Sequence, residues 1–171
     1  MRLHIGGEEA KKGWQILNAQ DATYVDFVGD CGDLRQFAEN SIDEIYASHI
    51  LEHLGYQEEL PKALKEWYRV IKPGGKVMIS VPDLDALCRY FLIPGLSQKD
   101  RFHIMRIMFG GQMDLYDFHR VGFTEDFLRE FLIGAGFRNP KRVKNFSFFD
   151  DSSSLMLGKN MPVSLNMKAV K

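Results

Sequence analysis

Three observations predict one α/β domain built on a mostly parallel sheet. Short apolar runs of strand character alternate with helical periodicity through the front half of the chain. The run from Lys76 to Val81 is apolar without clear alternation, as in a strand covered on both faces. The length of 171 residues, with 45% hydrophobic content, suits one sizeable core.

Each element has its own signal. Leu3-His4-Ile5 is a short strand running into Gly6-Gly7, Trp14 to Leu17 a second, and Tyr24 to Val28 a third ending at Gly29-Asp30. Glu44 to Ala47 is a fourth. A helix over about 57–71 follows, because Leu60, Ala63, Leu64, Trp67, Tyr68 and Ile71 recur at steps of three and four and share one face. Pro73-Gly74-Gly75 ends it, and Lys76 to Val81 is the fifth strand. Asp83 to about Phe91 reads as a short helix. Ser97 with Asp100 resembles a capping box ahead of a helix reaching about Phe109. Thr124 caps a helix whose buried face is Phe127, Leu128, Phe131, Leu132 and Ala135, with Gly136 near its end. Strands near 138–148 and 163–170 close the chain. The polar stretch 148–162 between them reads as a long hairpin loop.

Composition excludes several classes. Lys+Arg 22 against Asp+Glu 23 leaves no basic surface for non-specific nucleic-acid binding. No run approaches the roughly 18 apolar residues of a transmembrane helix, and the N-terminus lacks the layout of a secretory signal. Two cysteines, Cys31 and Cys88, are too few for a disulfide scaffold and read as small buried residues. A reduced, cytoplasmic, globular protein is expected. Met105, Met108 and Met113 with Phe102 and Phe109 read as core or lid. Phe146, Phe148 and Phe149 either cover the sheet or line a dimer surface, and a homodimer is a base-rate expectation.

In a parallel α/β sheet, ligands bind beyond the carboxyl ends of the strands. Those ends hold Gly6-Gly7, Asn18, Asp30-Cys31 and Ser48-His49. Paired glycines let backbone approach a ligand closely, and equally serve plain turns. Asp30 after a strand can accept from a ligand amino group or cap a turn.

The run Asp43-Glu44-Ile45-Tyr46-Ala47-Ser48-His49-Ile50-Leu51-Glu52-His53-Leu54, then Leu64-Lys65-Glu66-Trp67-Tyr68-Arg69-Val70-Ile71-Lys72-Pro73-Gly74-Gly75, then Ile79-Ser80-Val81-Pro82-Asp83, resembles the class I S-adenosylmethionine-dependent methyltransferases, particularly a group of small bacterial members. The similarity is dense from residue 3 to about 85. The resemblance implies a Rossmann-like, seven-stranded sheet with the last strand antiparallel. It implies Gly6 and Gly7 near the methionine part of the cofactor, and Asp30 and the backbone N–H of Cys31 at the adenine. Ser48 and His49 fall at the methionine end and the reactive methyl. Segment 97–123 lies where this fold inserts a substrate-covering piece, with Gly110-Gly111 as a hinge.

Two departures mark a trimmed fold. Only Glu8 to Gly13 separates Gly7 from Trp14, too short for a full helix. Asn18 stands where the family usually has an acidic residue for the ribose hydroxyls, and an amide lacks the charge that strengthens such a bond.

His49-Ile50-Leu51-Glu52-His53 has a second reading. Its spacing resembles the motif with which ubiquinone-pathway and small-RNA 3′-end methyltransferases bind a divalent ion. On that resemblance the ligands are His49, Glu52 and His53, with His119 from Asp117-Phe118-His119-Arg120 as a fourth. His49 in place of a carboxylate then favours Zn²⁺, Fe²⁺ or Mn²⁺ over Mg²⁺. The same residues occur in metal-free members of the fold, and the reading adopted is a site without metal.

The function expected is methyl transfer from S-adenosylmethionine to an O or N nucleophile of a small molecule or saccharide, with His119 or His53 taking the acceptor's proton. The rivals are a non-catalytic binding or scaffold subunit, favoured by the short glycine loop and Asn18, and a metal-dependent RNA 3′-end methylase, opposed by the formal charge of −1. A membrane partner is not expected.

Overall fold

The computed structural model describes residues 1–157 and 161–171. In chain order the elements are β1 (Arg2–Ile5), β2 (Trp14–Asn18), β3 (Phe27–Val28), β4 (Ile42–Ser48), α1 (Glu59–Val70), β5 (Ile71–Pro82), α2 (Leu84–Phe91), α3 (Gln98–Phe109), α4 (Glu125–Gly134), β6 (Arg138–Val143), β7 (Met156–Leu157), β8 (Met161–Pro162) and β9 (Ser164–Val170). Short 3₁₀ turns occupy Leu51–His53 and Ser152–Ser154. Seven strands form one sheet in the order β3-β2-β1-β4-β5-β9-β6. All its neighbours pair in parallel except β9, which runs antiparallel to both β5 and β6. No helix among the described residues is long and apolar enough to cross a membrane.

The two faces of this sheet differ in chemistry. Leu3 and Ile5 of β1, Ile45 and Ala47 of β4, Val77 and Ile79 of β5 and Leu165 and Met167 of β9 are buried with Leu60, Leu64 and Trp67 of α1 and Leu128 and Leu132 of α4. This is the aliphatic core that the helical periodicity predicts. The intervening residues, His4, Tyr46, Met78, Ser80, Ser164 and Asn166, point to the other face and are also buried. The β1–β2 and β2–β3 connections, which in a doubly wound sheet hold helices, are here only turns. The covering is instead a strap, residues 144–155. Phe146 and Phe149 are buried with Trp14, Tyr46 and Met78. Tyr46 donates its hydroxyl to Asp151 Oδ2 at 2.6 Å. Asn166 Nδ2 donates to the Lys144 and Ser153 carbonyls at 3.1 and 2.9 Å, and Ser164 Oγ to the Ser152 carbonyl at 2.6 Å. Polar residues on that face are thus spent on the strap's backbone carbonyls, which need partners once buried.

The strap corrects the expected strand over 138–148, which ends at Val143. The alternating phenylalanines mimic a strand, but Ser147 adopts φ 52° and turns the chain. The loop expected at 148–162 contains a 3₁₀ turn and a two-residue β7–β8 pairing; its residues 158–160 lie outside the described residues. The third strand shortens to Phe27–Val28, because Val25 N–H bonds back to the Ala22 carbonyl in a turn. Cys88 is exposed, contrary to the expected burial, since only Leu87 of α2 faces inward. In α3 only Ile104 is fully buried, and Phe102, Phe109 and Met113 are exposed. The core reading therefore fails for those three residues, while Met108 packs partly buried against Leu87, Ile104 and Val163. Phe146 and Phe149 cover the sheet rather than a dimer surface.

Candidate active site

The sheet order reverses direction between β1 and β4, and a cleft of about 1140 Å³ opens beyond their carboxyl ends. That exceeds the usual few hundred to roughly 1,000 Å³ of a single small-ligand site. Its lining includes Gly6, Asn18, Asp30, Cys31, Ser48, His49 and His53, so one site gathers seven of the sequence-predicted residues.

The glycine turn is the tightest part. Gly6 has φ 74° and its N–H bonds to the Leu17 carbonyl at 2.7 Å; a Cβ there would lie 2.0 Å from Ile50 Cδ1. Only glycine satisfies both the conformation and the space. Gly7 plays a structural part, since a Cβ would strike the His4 ring at 2.6 Å.

Asp30 Oδ1 accepts from Gly32 N–H at 2.6 Å, which shapes the loop. The loop is fixed from beneath by Trp67, whose indole Nε1 donates to the Cys31 carbonyl at 2.8 Å. Burial pushes the Cys31 thiol up to about 12, so it is an inert wall. Asn18 lines the cleft and also has a structural part. Its Nδ2 donates to the Gly7 carbonyl at 3.2 Å and its Oδ1 accepts from Gln20 N–H at 3.0 Å. The side chain joins the two loops at the β1 and β2 ends.

At the other end of the cleft, β4 delivers Ser48 and His49. Ser48 Oγ is buried without a hydrogen-bond partner. His49 sits at φ 56°, held by its N–H to the Ser80 carbonyl at 2.8 Å. Its Nε2 meets Ser164 Oγ at 2.9 Å. The following 3₁₀ turn carries Glu52 and His53. The Glu52 carbonyl accepts from the N–H groups of Arg120 and Val121 at 2.7 and 3.3 Å, drawing segment 118–121 onto this turn. His119 thereby comes to stand beside His53, their ring centroids 4.9 Å apart and nearly perpendicular. His53 Nδ1 lies 3.2 Å from the Phe118 carbonyl. A carbonyl only accepts, so Nδ1 carries the proton and Nε2 keeps its lone pair. Burial holds His119 below the usual imidazole range, with the nearby Glu52 carboxylate acting the other way. Burial raises the Glu52 carboxyl, but the His49, His53 and His119 rings outweigh it and leave it below the usual range.

The expected hinge at Gly110-Gly111 is pinned. Asp117 accepts from Gly111 N–H at 3.1 Å and Met113 N–H at 3.3 Å through its carboxylate, and from Gln112 N–H at 2.9 Å through its carbonyl. The segment it closes brings Leu115, Tyr116 and Phe118 to the cleft. Sequence reasoning missed the strap's contribution, Phe149 to Ser152 and Leu155. It also missed Ser164, and the Arg120–Glu59 pair at 3.0 Å on the rim. The one signal for the strap was an acidic-serine run beside phenylalanines, which reads equally as loop.

The residues present fit an adenosyl-methionine ligand. The glycine cradle at Gly6, the Asp30–Cys31 loop and the unpartnered Ser48 hydroxyl line one continuous cleft.

Residues 7–79 match the methyltransferase domain family. No curated protein matches the chain. Among solved structures, an S-adenosylmethionine-dependent methyltransferase from Archaeoglobus fulgidus is 18% identical, with TM-score 0.64, covering 99% of this chain and 85% of the other. A possible histamine N-methyltransferase from Thermotoga maritima is 18% identical, with TM-score 0.58 and coverage of 99% and 81%. The Burkholderia thailandensis 1,6-didemethyltoxoflavin-N1-methyltransferase, bound to 1,6-didemethyltoxoflavin and S-adenosylhomocysteine, is 17% identical, with TM-score 0.60 and coverage of 99% and 70%. Topology and cleft agree with these structures on the fold of S-adenosylmethionine-dependent methyltransferases, and the domain match falls on the part of the chain that runs from the glycine turn into β5.

Proposed function

We propose that this protein transfers a methyl group to an oxygen or nitrogen of a small molecule or saccharide-like acceptor. The observation that carries this is the convergence, in one cleft, of a cradle only glycine can form and, at its far end, the His53 imidazole, with the His119 ring against it from outside the lining. When bound, the cofactor supplies a methyl carbon activated by the adjoining sulfonium. The protein supplies position. Gly6 lets the backbone approach the methionine part, and the Asp30–Cys31 loop, braced by Trp67, takes the adenine end. Asp30 keeps a carboxylate oxygen beyond the one bonded to Gly32 for the exocyclic amine. A bound cofactor would give up that methyl group to the acceptor and keep the electron pair of the broken carbon–sulfur bond on sulfur. The acceptor's proton leaves toward the His53–His119 pair, where His53 Nε2 offers a free lone pair. Leu115, Tyr116 and Phe118 supply an apolar, partly aromatic wall for the acceptor. A small-molecule acceptor is supported by the Burkholderia neighbour, which holds 1,6-didemethyltoxoflavin.

Calorimetric titration with S-adenosylmethionine and S-adenosylhomocysteine tests this, comparing wild type with Asp30→Asn. The amide preserves the acceptor for Gly32 N–H but presents an NH₂ to the adenine amine. Saturable one-site binding weakened at least about tenfold by Asp30→Asn, a loss of about 1.4 kcal/mol, is expected. Absence of binding at millimolar cofactor by the folded wild type refutes the reading and leaves a scaffold subunit.

A further inference from the structure

We propose that Glu52, His53 and His119 form a binding site for a borderline divalent cation of the Zn²⁺, Fe²⁺ or Mn²⁺ class at the acceptor end of the cleft. One ligand atom from each of the three lies within 4.8 Å of the others. Donors bonded to one zinc ion at about 2.0–2.2 Å lie no more than about 4.4 Å apart, so at most a small movement of these side chains brings all three onto one ion. Two imidazoles and one carboxylate are a donor set chosen by borderline metals rather than by Mg²⁺ or Ca²⁺.

Independent evidence comes from Glu52 itself. Its side chain is fully buried, and neither carboxylate oxygen has a hydrogen-bond partner. A buried carboxylate without donors is costly and calls for a cation. The nearest basic group is His49, its Nδ1 3.2 Å from Oε1.

The outer contacts also suit coordination. The Phe118 carbonyl takes the Nδ1 proton of His53 and leaves Nε2 unprotonated, the arrangement in which a backbone carbonyl orients a metal-binding imidazole. Segment 118–121, which carries His119, is tied by two backbone bonds to the carbonyl of Glu52, so the ligands form one braced unit. Three protein ligands leave open positions, and His53 faces the cleft. The role of the ion, unlike the site, rests on the methyl-transfer reading. An acceptor hydroxyl completing the coordination would be oriented and acidified by the cation, and its proton would pass to water rather than to the coordinating imidazoles.

Co²⁺ is the probe, titrated into chelator-treated full-length protein and followed by visible absorption. One equivalent is expected to bind and give a d–d band. Glu52→Gln, and separately His53→Ala with His119→Ala, should abolish the band or weaken Co²⁺ binding at least a hundredfold, and Zn²⁺ should displace Co²⁺ from the wild type. Circular dichroism checks folding. Should Glu52→Gln not fold, the partly exposed histidine pair decides alone. Co²⁺ binding that is absent, or unchanged in the double-histidine variant, overturns the site. S-adenosylhomocysteine titration of the same samples separates the two proposals. Cofactor binding without Co²⁺ binding removes the cation alone, and Co²⁺ binding without cofactor binding removes the methyl-transfer reading alone.

Discussion

Gly6→Ala tests whether the cradle's geometry governs cofactor binding. Alanine at φ 74° enters a region that costs an L-residue about 1–2 kcal/mol. Its Cβ would also lie 2.0 Å from Ile50 Cδ1 and 2.8 Å from Cγ1. Ile50 lines the cleft, so a retreat of more than about 1 Å to ordinary contact disturbs the wall beside the methionine end. Overpacking of this kind costs about 1–3 kcal/mol, and the whole substitution should destabilise the fold by about 2–5 kcal/mol. Gly95 supplies the control. It has φ 76°, and a Cβ there would meet nothing within 4 Å, so Gly95→Ala incurs the conformational cost without the crowding. Urea unfolding of both variants isolates the steric part, and S-adenosylhomocysteine calorimetry reads the site. Gly6→Ala should raise Kd at least tenfold, and Gly95→Ala should leave it unchanged. Equal stability losses in the two variants with an unaltered Kd for Gly6→Ala would refute the cradle argument.

Other consequences follow from the same contacts. Tyr46→Phe removes the 2.6 Å bond to Asp151 and should cost about 1–3 kcal/mol in urea unfolding, with faster hydrogen exchange in residues 144–155 as the sign that the strap is what loosens. Trp67→Phe leaves the Cys31 carbonyl without its donor; a stability loss of about 1–3 kcal/mol and weaker cofactor binding are expected, and unchanged binding would show that the loop is held elsewhere. His4 is buried, and desolvation lowers it to about 4, with the Asp151 carboxylate opposing. Its folded value lies below the unfolded 6.5, so the unfolded chain binds the extra proton: the contribution is intact above pH 6.5 and is lost as pH falls toward 4, by about 3 kcal/mol in all. The difference in unfolding free energy between wild type and His4→Asn, measured from pH 7.5 to 4.5, checks both sign and size.

What the sequence displays depends on how far apart the interacting residues lie. The face of α1 is written within twelve residues, at steps of three and four, and helix and burial both follow. The same holds for the strand ends that hold Gly6, Asp30 and Ser48, because fold class alone sends ligands there. The strap is invisible for the opposite reason. Tyr46 and Asp151 are 105 positions apart, and His49 and Ser164 are 115. Nothing local marks either pairing. Asn18 shows a subtler point: position in the family pattern suggests a ligand contact, and nothing local marks that its amide also ties the Gly7 carbonyl to the Gln20 N–H.

The missing helices and the strap are one fact seen twice. With only turns between β1, β2 and β3, the face bearing His4, Tyr46 and Met78 has no helix to bury it. Aliphatic residues there would stay exposed, so the face carries aromatic and hydrogen-bonding groups that an irregular segment can satisfy. Phe149 stacks on Tyr46 at 5.4 Å, and Ser164 and Asn166 receive the strap's carbonyls as donors. That segment then runs on into the cleft, where Asp150, Asp151 and Ser152 join the lining. A substitution that loosens the strap must therefore disturb the cofactor site, even when the residue changed touches no ligand. Tyr46→Phe is the direct case, since its lost hydroxyl lies on the covered face while Asp151, its partner, lines the cleft. A Tyr46→Phe protein with loosened strap and undiminished S-adenosylhomocysteine affinity would separate the two and show that the strap serves the fold alone.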